Sequence, residues 1–427
     1  MQHNSNSRRS FLTKAAIAAA MTPFASLDSF ANGYTTAINN APKASAPSDL
    51  KITDVKCGYI KGSLFVKIYT NQDIWGCGEG VDAVPGTYHL VKNFGNRIKN
   101  QNPLNVHRLF ENIRRSGFFQ GAQSGMYVAV LSAIETALWD LAGKALNVPV
   151  YQLLGGKFRD KIRVYCDTAL YQRNLPQPKD FADAALKSKN MGFNAIKFDL
   201  DQANDPNKYD FYNWTASPGE LQRMYDQIAA ARTAVGPKVD ILVDMHGRYD
   251  AVTAQAISKR LEPLNLLWLE EPIPAENAEA YKEITESTST PIAAGENHYL
   301  AYGFRRLLEI GGVDIVMPDL QKCGGLGEGQ RIANLANLYY KPFAPHMVAS
   351  FLGCMASCHV CASVPNFLIL EWQSYFHTDP MFKEIVHYDG EWVKDSFITL
   401  SEKPGIGVEI NEEGMKKYAI PDVPFFQ

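Results

Sequence analysis

Three acids terminate three consecutive apolar runs: Asp244 closes DILVD, Glu270 closes LLWLE and Glu296 follows PIAAG, at equal intervals along the chain. If the runs are neighbouring strands, three carboxylates meet at one mouth. Three anions in one place repel unless a cation neutralises them. Oxygen-only ligation with room for water and substrate suits Mg²⁺, one ion per site. Glu271 competes with Glu270, but side chains alternate along a strand, so only one of the two enters the mouth. Two further runs end in Asp319 and His346. A carboxylate beside an imidazole fixes its tautomer and raises its basicity, which makes a general base. Glu371 ends the last run, and Lys197 and Asp199 share a face at the end of an earlier one. In ILVDMHGRYD, Asp244 and His246 are two apart and so point the same way on a strand. They form either a core histidine with its acceptor or the edge of an active site.

The elements that position these residues follow a rhythm. RVYCDTAL, NAIKFDL, DILVDMH, LLWLEEP, PIAAGE, DIVMPDL, KPFAPH and FLILEW alternate with helical stretches. Eight such alternations predict a parallel barrel whose strand C-termini build the site. The barrel is expected over residues 161–377. Ahead of it, residues 49–160 read as a small α+β unit: antiparallel strands from KITDVKCGYI onward, then helices including YVAVLSAIETALWDLAGKAL. Residues 378–427 lose the alternation and are expected to fold back on that first unit. The insertion after the second barrel strand, DQANDPNKYDFYNWTASPG, is rich in turn formers and aromatics and reads as a lid or substrate loop.

The chain has 427 residues, 46% of them hydrophobic and 20% charged, with a net charge of −3. That balance fits a soluble globular enzyme and excludes nucleic acid as the main partner. Near the N-terminus, SRRSFLTK precedes a short apolar run and small residues. Residues 1–31 therefore read as a Tat-type export signal and 32–48 as a linker, with a periplasmic destination. The apolar run is too short for a stable membrane span, which takes about 20 residues. Seven cysteines include Cys354, Cys358 and Cys361, which fall on one helical stripe beside His359. Zinc is one reading, but the small-residue context favours helix packing.

At this point the chain resembles the enolase superfamily, in its mandelate racemase-like branch. The resemblance runs from about Lys51 to the C-terminus. It is carried by SAIETALWDLAGKALNVPVYQLLGG, by the Asp244/Glu270/Glu296 spacing and by the Asp319–His346 pair. It implies a (β/α)7β TIM-like barrel under an α+β capping domain that the tail completes. It also implies Mg²⁺ held by the three acids, and abstraction of a proton α to a carboxylate. Such sites use a Lys or His base with Mg²⁺. Glu371, in the family's eighth-strand position, would if protonated donate to the enediolate. Racemases of the branch end the second strand in K-x-K; here the motif is Lys197-Phe198-Asp199, so Asp199 replaces the second base. Lys197 can still hold a substrate carboxylate. Asp244-x-His246-Gly-Arg248 resembles the branch's acid-sugar dehydratases, in which a histidine there protonates a leaving hydroxyl. Arg248 is a substrate or a structural cation.

These readings combine as a Mg²⁺-dependent dehydratase, a carbon–oxygen lyase. His346, oriented by Asp319, would remove the α-proton and His246 would assist loss of the β-hydroxyl. The substrate would be a small sugar acid or, given export, a uronate-ended oligosaccharide; Tyr209–Trp214 could stack on sugar rings or pack on itself. The alternatives are an epimerase or cycloisomerase of the same superfamily, or a catalytically silent sugar-acid binder. A homo-oligomer is compatible with each.

Overall fold

The computed structural model describes residues 49–170 and 173–427; the readings of 1–31 and 32–48 lie outside the described residues. An antiparallel meander opens the fold: β1 (Ile52–Ile60), β2 (Ser63–Thr70) and β3 (Trp75–Val81). The helix Gly125–Leu146 lies across it. Its apolar residues run all round rather than on one stripe, long enough to cross a membrane, yet 89% of its most apolar window is buried in the protein. A core position explains that composition. The WGCGEG of β3 explains the closeness: a Cβ on Gly78 would sit 2.2 Å from the Ala133 carbonyl oxygen, and one on Gly76 2.3 Å from that of Ala137. Alternate glycines let strand and helix backbones touch.

The barrel follows, with parallel strands β4 (Lys161–Asp167), β5 (Ala195–Asp199), β6 (Asp240–Asp244), β7 (Trp268–Glu270), β8 (Ile292–Ala294), β9 (Ile315–Val316) and β10 (Leu370–Gln373). The seventh position is held by the stretch 343–346. It pairs only through single bridges, Val316 with Phe343, Asp319 with His346 and Phe343 with Phe367. β10 pairs with β4 and closes the ring. Tyr165, Ala195, Leu242, Trp268, Ala293, Ile315, Ala344 and Ile369 form one apolar cluster, about one residue from each strand. Because strand side chains repeat every second residue, the next inward positions are Asp167, Lys197, Asp244, Glu270 and Glu371. An apolar plug thus carries a charged layer.

The tail does more than return to the cap. β12 (Phe397–Thr399) first pairs antiparallel with β4, and β11 (Val386–His387) pairs with β13 (Glu409–Ile410). Only then do Ile420 and Phe426 donate backbone N–H bonds to Tyr59 and Cys57 of β1, at 3.0 and 2.7 Å.

Buried carboxylates stitch cap to barrel. Glu79 of β3 accepts from Ser350 N (2.8 Å), Ser350 Oγ (2.5 Å) and Gly353 N (3.2 Å), at the start of the helix Phe351–Ser363. Glu135 accepts from Leu326 N and Gly327 N, at 2.8 and 2.9 Å, at the start of the helix Leu326–Leu338. Each places an acceptor at a helix N-terminus, where unpaired N–H groups gather. The helix Phe351–Ser363 is buried throughout and carries Cys354, Cys358 and Cys361 as free thiols. His359 accepts at Nδ1 from Tyr151 N (3.2 Å) and donates from Nε2 to the Ile406 carbonyl (3.0 Å). Both its nitrogens are engaged, so the cluster is packing, not a zinc site.

Candidate active site

The charged layer is tightly paired. Lys197 Nζ lies 3.0 Å from Asp244 Oδ2, 3.3 Å from Glu270 Oε1 and 2.8 Å from Glu371 Oε1. Its ammonium is buried and paired with three acids of the protein. Burial opposes its charge, but Glu270 and Glu371 outweigh it and hold the lysine well above its ordinary value. Glu371 also accepts from Met347 N (2.8 Å) and Gln373 Nε2 (3.1 Å). Trp268 Nε1 donates to Glu270 Oε2 at 3.0 Å.

On the seventh barrel position, His346 Nδ1 lies 2.8 Å from Asp319 Oδ2, as the pairing required. Its Nε2 is 2.7 Å from Glu296 Oε2 and 3.6 Å from Glu371 Oε2. Burial works against a charged ring, yet Glu296 and Glu371 hold His346 well above its ordinary value. Glu296 in turn is held well below the carboxylate range by His346, against its own burial. To take a proton, Nε2 must be released from Glu296.

His246 reaches the mouth through a turn and not along the strand. β6 stops at Asp244, and His246 sits in a turn with φ of +46°, in the left-handed region. Asp244 Oδ1 accepts from the His246 backbone N at 2.9 Å and stabilises that turn. The turn, not strand alternation, brings His246 Nε2 to 3.8 Å from Asp244 Oδ2. Its Nδ1 is bonded to Asp201 Oδ1 at 2.8 Å. Asp244 chiefly, then Asp201, push His246 up to about 12 against the opposing effect of burial. Arg248 is exposed, its Nε 3.5 Å from Asp201 Oδ2.

Asp201 escaped the sequence reading, although it continues the two-residue spacing of Lys197 and Asp199. With it the mouth carries two Asp–His pairs of the same form. Each is joined at Nδ1 over 2.8 Å, and they stand on the third and seventh barrel positions, opposite each other. Asp199, expected to touch substrate, is covered, and neither of its carboxylate oxygens has a hydrogen-bond partner. Burial first, then Asp167, raise it well above the carboxylate range. Glu271 also departs from strict alternation. Its φ of +34° turns its carboxylate onto Asn297 Nδ2 (2.7 Å), whose other contact is Glu296 Oε1 (3.1 Å). Glu271 thus braces Glu296 instead of facing away.

The donor chemistry fits a hard divalent cation. Asp244, Glu270 and Glu296 offer carboxylate oxygens only, which suits Mg²⁺. Among the described residues, Asp199, Asp244 and His246 also bring ligand atoms within 4.8 Å of one another. Asp244 belongs to both. An imidazole is a poorer Mg²⁺ ligand than a carboxylate, which favours the three acids.

A capped eight-fold barrel with carboxylates and imidazoles at its strand ends has the architecture of an enzyme. Residues 35–155 match the mandelate racemase/muconate lactonizing enzyme N-terminal domain, and residues 180–414 the enolase C-terminal domain-like family. The chain belongs to this enolase-superfamily lineage. It is 36% identical to a D-xylonate dehydratase of Haloferax volcanii, over 88% of this chain and 91% of that one. It is 34% identical to a D-galactonate dehydratase of Variovorax paradoxus, over 82% and 89%. A solved mandelate racemase/muconate lactonizing enzyme-like protein from Rubrobacter xylanophilus superposes with a TM-score of 0.84. It shares 41% identity and is covered in full by 89% of this chain.

Proposed function

We propose that the protein is a Mg²⁺-dependent acid-sugar dehydratase. The observation that carries this reading is the pair of Asp-anchored imidazoles facing each other across the mouth. Elimination of a β-hydroxyl needs a base at the α-carbon and an acid at the departing oxygen. His346 Nε2 takes the α-proton while Asp319 keeps Nδ1 protonated and the ring aligned. His246, charged through Asp244 and Asp201, gives its proton to the β-hydroxyl, which leaves as water. A carbon–carbon double bond remains. Positioned acid catalysis of this kind contributes about 10²–10⁴ in rate. Asp244, Glu270 and Glu296 would hold the Mg²⁺, which when bound offsets the negative charge that develops on the substrate carboxylate. Lys197 holds the surrounding acids together, and Glu271 with Asn297 aligns Glu296.

Epimerisation would need a second acid/base opposite His346, a place that His246 also fills, so loss of water rather than the pair itself separates the two reactions. A silent binder has no use for either Asp–His pair. The dehydratase names of the relatives support the same reaction class. The Arg8–Arg9 leader supports export to the periplasm, where uronate-ended oligosaccharides are available substrates. Replacing both arginines by lysine is expected to leave the protein in the cytoplasm; unchanged fractionation would refute export by that route.

The test of the reaction is a mass-spectrometric screen of aldonates, aldarates and uronate oligosaccharides with Mg²⁺. A product lighter by one water is expected. Solvent deuterium appearing in recovered substrate with no loss of water would instead mean epimerisation.

A further inference from the structure

Residues 200–217 join β5 to the helix Pro218–Val235, where barrel connections usually take about 2–6 residues. The segment is well anchored. Asp205 pairs with Arg223, Lys208 with Glu220 at 2.8 Å, and Asp250 N donates to the Trp214 carbonyl at 3.1 Å. Yet its aromatic rings stay in water: Tyr212 is 84% exposed, Phe211 72%, Tyr209 61% and Trp214 52%. Leaving such rings in water is unfavourable, so a pinned loop that holds four of them outward marks a surface that is covered in use.

What covers it follows from where it leads. A polar cavity of about 500 Å³ contains His246, Arg173 and Gln202. A second, of about 290 Å³, is walled by Phe211, Tyr212, Trp214 and Lys208. Asp201, Ala203 and Arg248 line both. The aromatic cavity therefore adjoins the one that contains the proposed acid, and cations stand on its rim.

We propose that the aromatic cavity is a subsite for a second sugar ring. The substrate is then a uronic acid still glycosidically joined to its neighbour. That neighbour lies on Trp214, Phe211 and Tyr212, with its hydroxyls toward Lys208 and Arg248. This rests on the acid-sugar reading of the mouth. An open-chain aldonate has no second ring and leaves the cavity empty. For a uronate at the non-reducing end, H5 goes to His346, and the 4-hydroxyl takes a proton from His246 and departs as water. A double bond forms between C4 and C5, the glycosidic bond stays intact, and no oxidant is needed. A second copy of the chain is the rival occupant; the cationic rim and the wall shared with the His246 cavity favour an anionic carbohydrate.

The test uses the His346→Asn protein, which cannot turn over. Binding of a uronate-ended disaccharide and of the free uronic acid is measured by calorimetry. The disaccharide is expected to bind about tenfold more tightly, in keeping with one aromatic stacking contact. The Phe211→Ala/Trp214→Ala double variant should erase that ratio, and in the active background should lower the disaccharide-to-monosaccharide ratio of kcat/KM by a similar factor. Equal affinities, or a ratio untouched by the double variant, overturn the subsite. A change of oligomeric state in light scattering, with the ratio untouched, assigns the aromatics to a second copy. A retained binding ratio in a protein that dehydrates no sugar acid would sink the dehydratase reading and leave the subsite standing.

Discussion

Glu79 offers a demanding test of how cap and barrel cooperate. Its carboxylate is fully buried and is the acceptor for two backbone N–H groups and one hydroxyl at residues 350–353. Glu79→Ala removes all three bonds at once. Each buried donor left unpaired costs about 1–3 kcal/mol. The Ser350 hydroxyl can rotate, so the two N–H groups carry the penalty. A cavity of about 470 Å³ adjoins Glu79, and water entering it recovers part of the loss. The expected destabilisation is therefore about 2–3 kcal/mol, near the lower end of the sum. The assay is urea unfolding, alongside kcat measured well below the unfolding transition. Ser350 starts the helix that follows the His346 loop, so kcat should fall further than the folded fraction explains. A stability change under about 0.5 kcal/mol, the usual size for a surface substitution, together with unchanged kcat, would refute the idea that the cap holds the base in place.

Three further outcomes are expected. Asp201→Asn exchanges a charge-assisted bond for a neutral one, a loss of about 1–1.5 kcal/mol, so kcat should drop about 5–13-fold while α-proton exchange persists; equal loss of both would contradict the assignment of His246 as acid. Exhaustive chelation should abolish activity and lower the melting temperature, with Mg²⁺ restoring both at about 2.7 kcal/mol for ligand at a hundred times Kd; a melting temperature indifferent to Mg²⁺ would contradict a built site. His359 is lowered by burial from 6.5 to about 4, so the unfolded chain takes up a proton that the folded one refuses. Its contribution is present in full above pH 6.5 and is lost as pH falls toward 4, up to about 3 kcal/mol. His359→Leu should flatten that part of the pH–stability curve, and an identical slope would count against it.

Much of the mouth was legible because barrel strands alternate strictly. Tyr165/Asp167, Leu242/Asp244 and Trp268/Glu270 each place an apolar residue and then an acid on the inner face, and the rule needs no knowledge of neighbours. Asp319 with His346 was legible for the same reason, as adjacent strand ends. What escaped depends on turns or on distant partners. His246 left the strand for a left-handed turn, and Glu271 did the same, so alternation misjudged how each reaches the site. Lys197 looked like a free cation because its three acceptors lie on other strands. Asp201 heads an insertion whose path no periodicity describes. Glu79 and Ser350 are 271 residues apart, and only the docking of cap on barrel brings them together.

The central claim is a division of labour between His346 and His246, and deuterium exchange coupled to mass spectrometry tests it most directly. Sugar acid is incubated in D₂O with the wild-type, His346→Asn and His246→Asn proteins. Substrate labelling and product lighter by one water are read from the same spectra. The account predicts that His346→Asn loses both signals, whereas His246→Asn still labels the α-carbon but scarcely forms product. Full elimination by His246→Asn, or labelling that survives in His346→Asn, would contradict it.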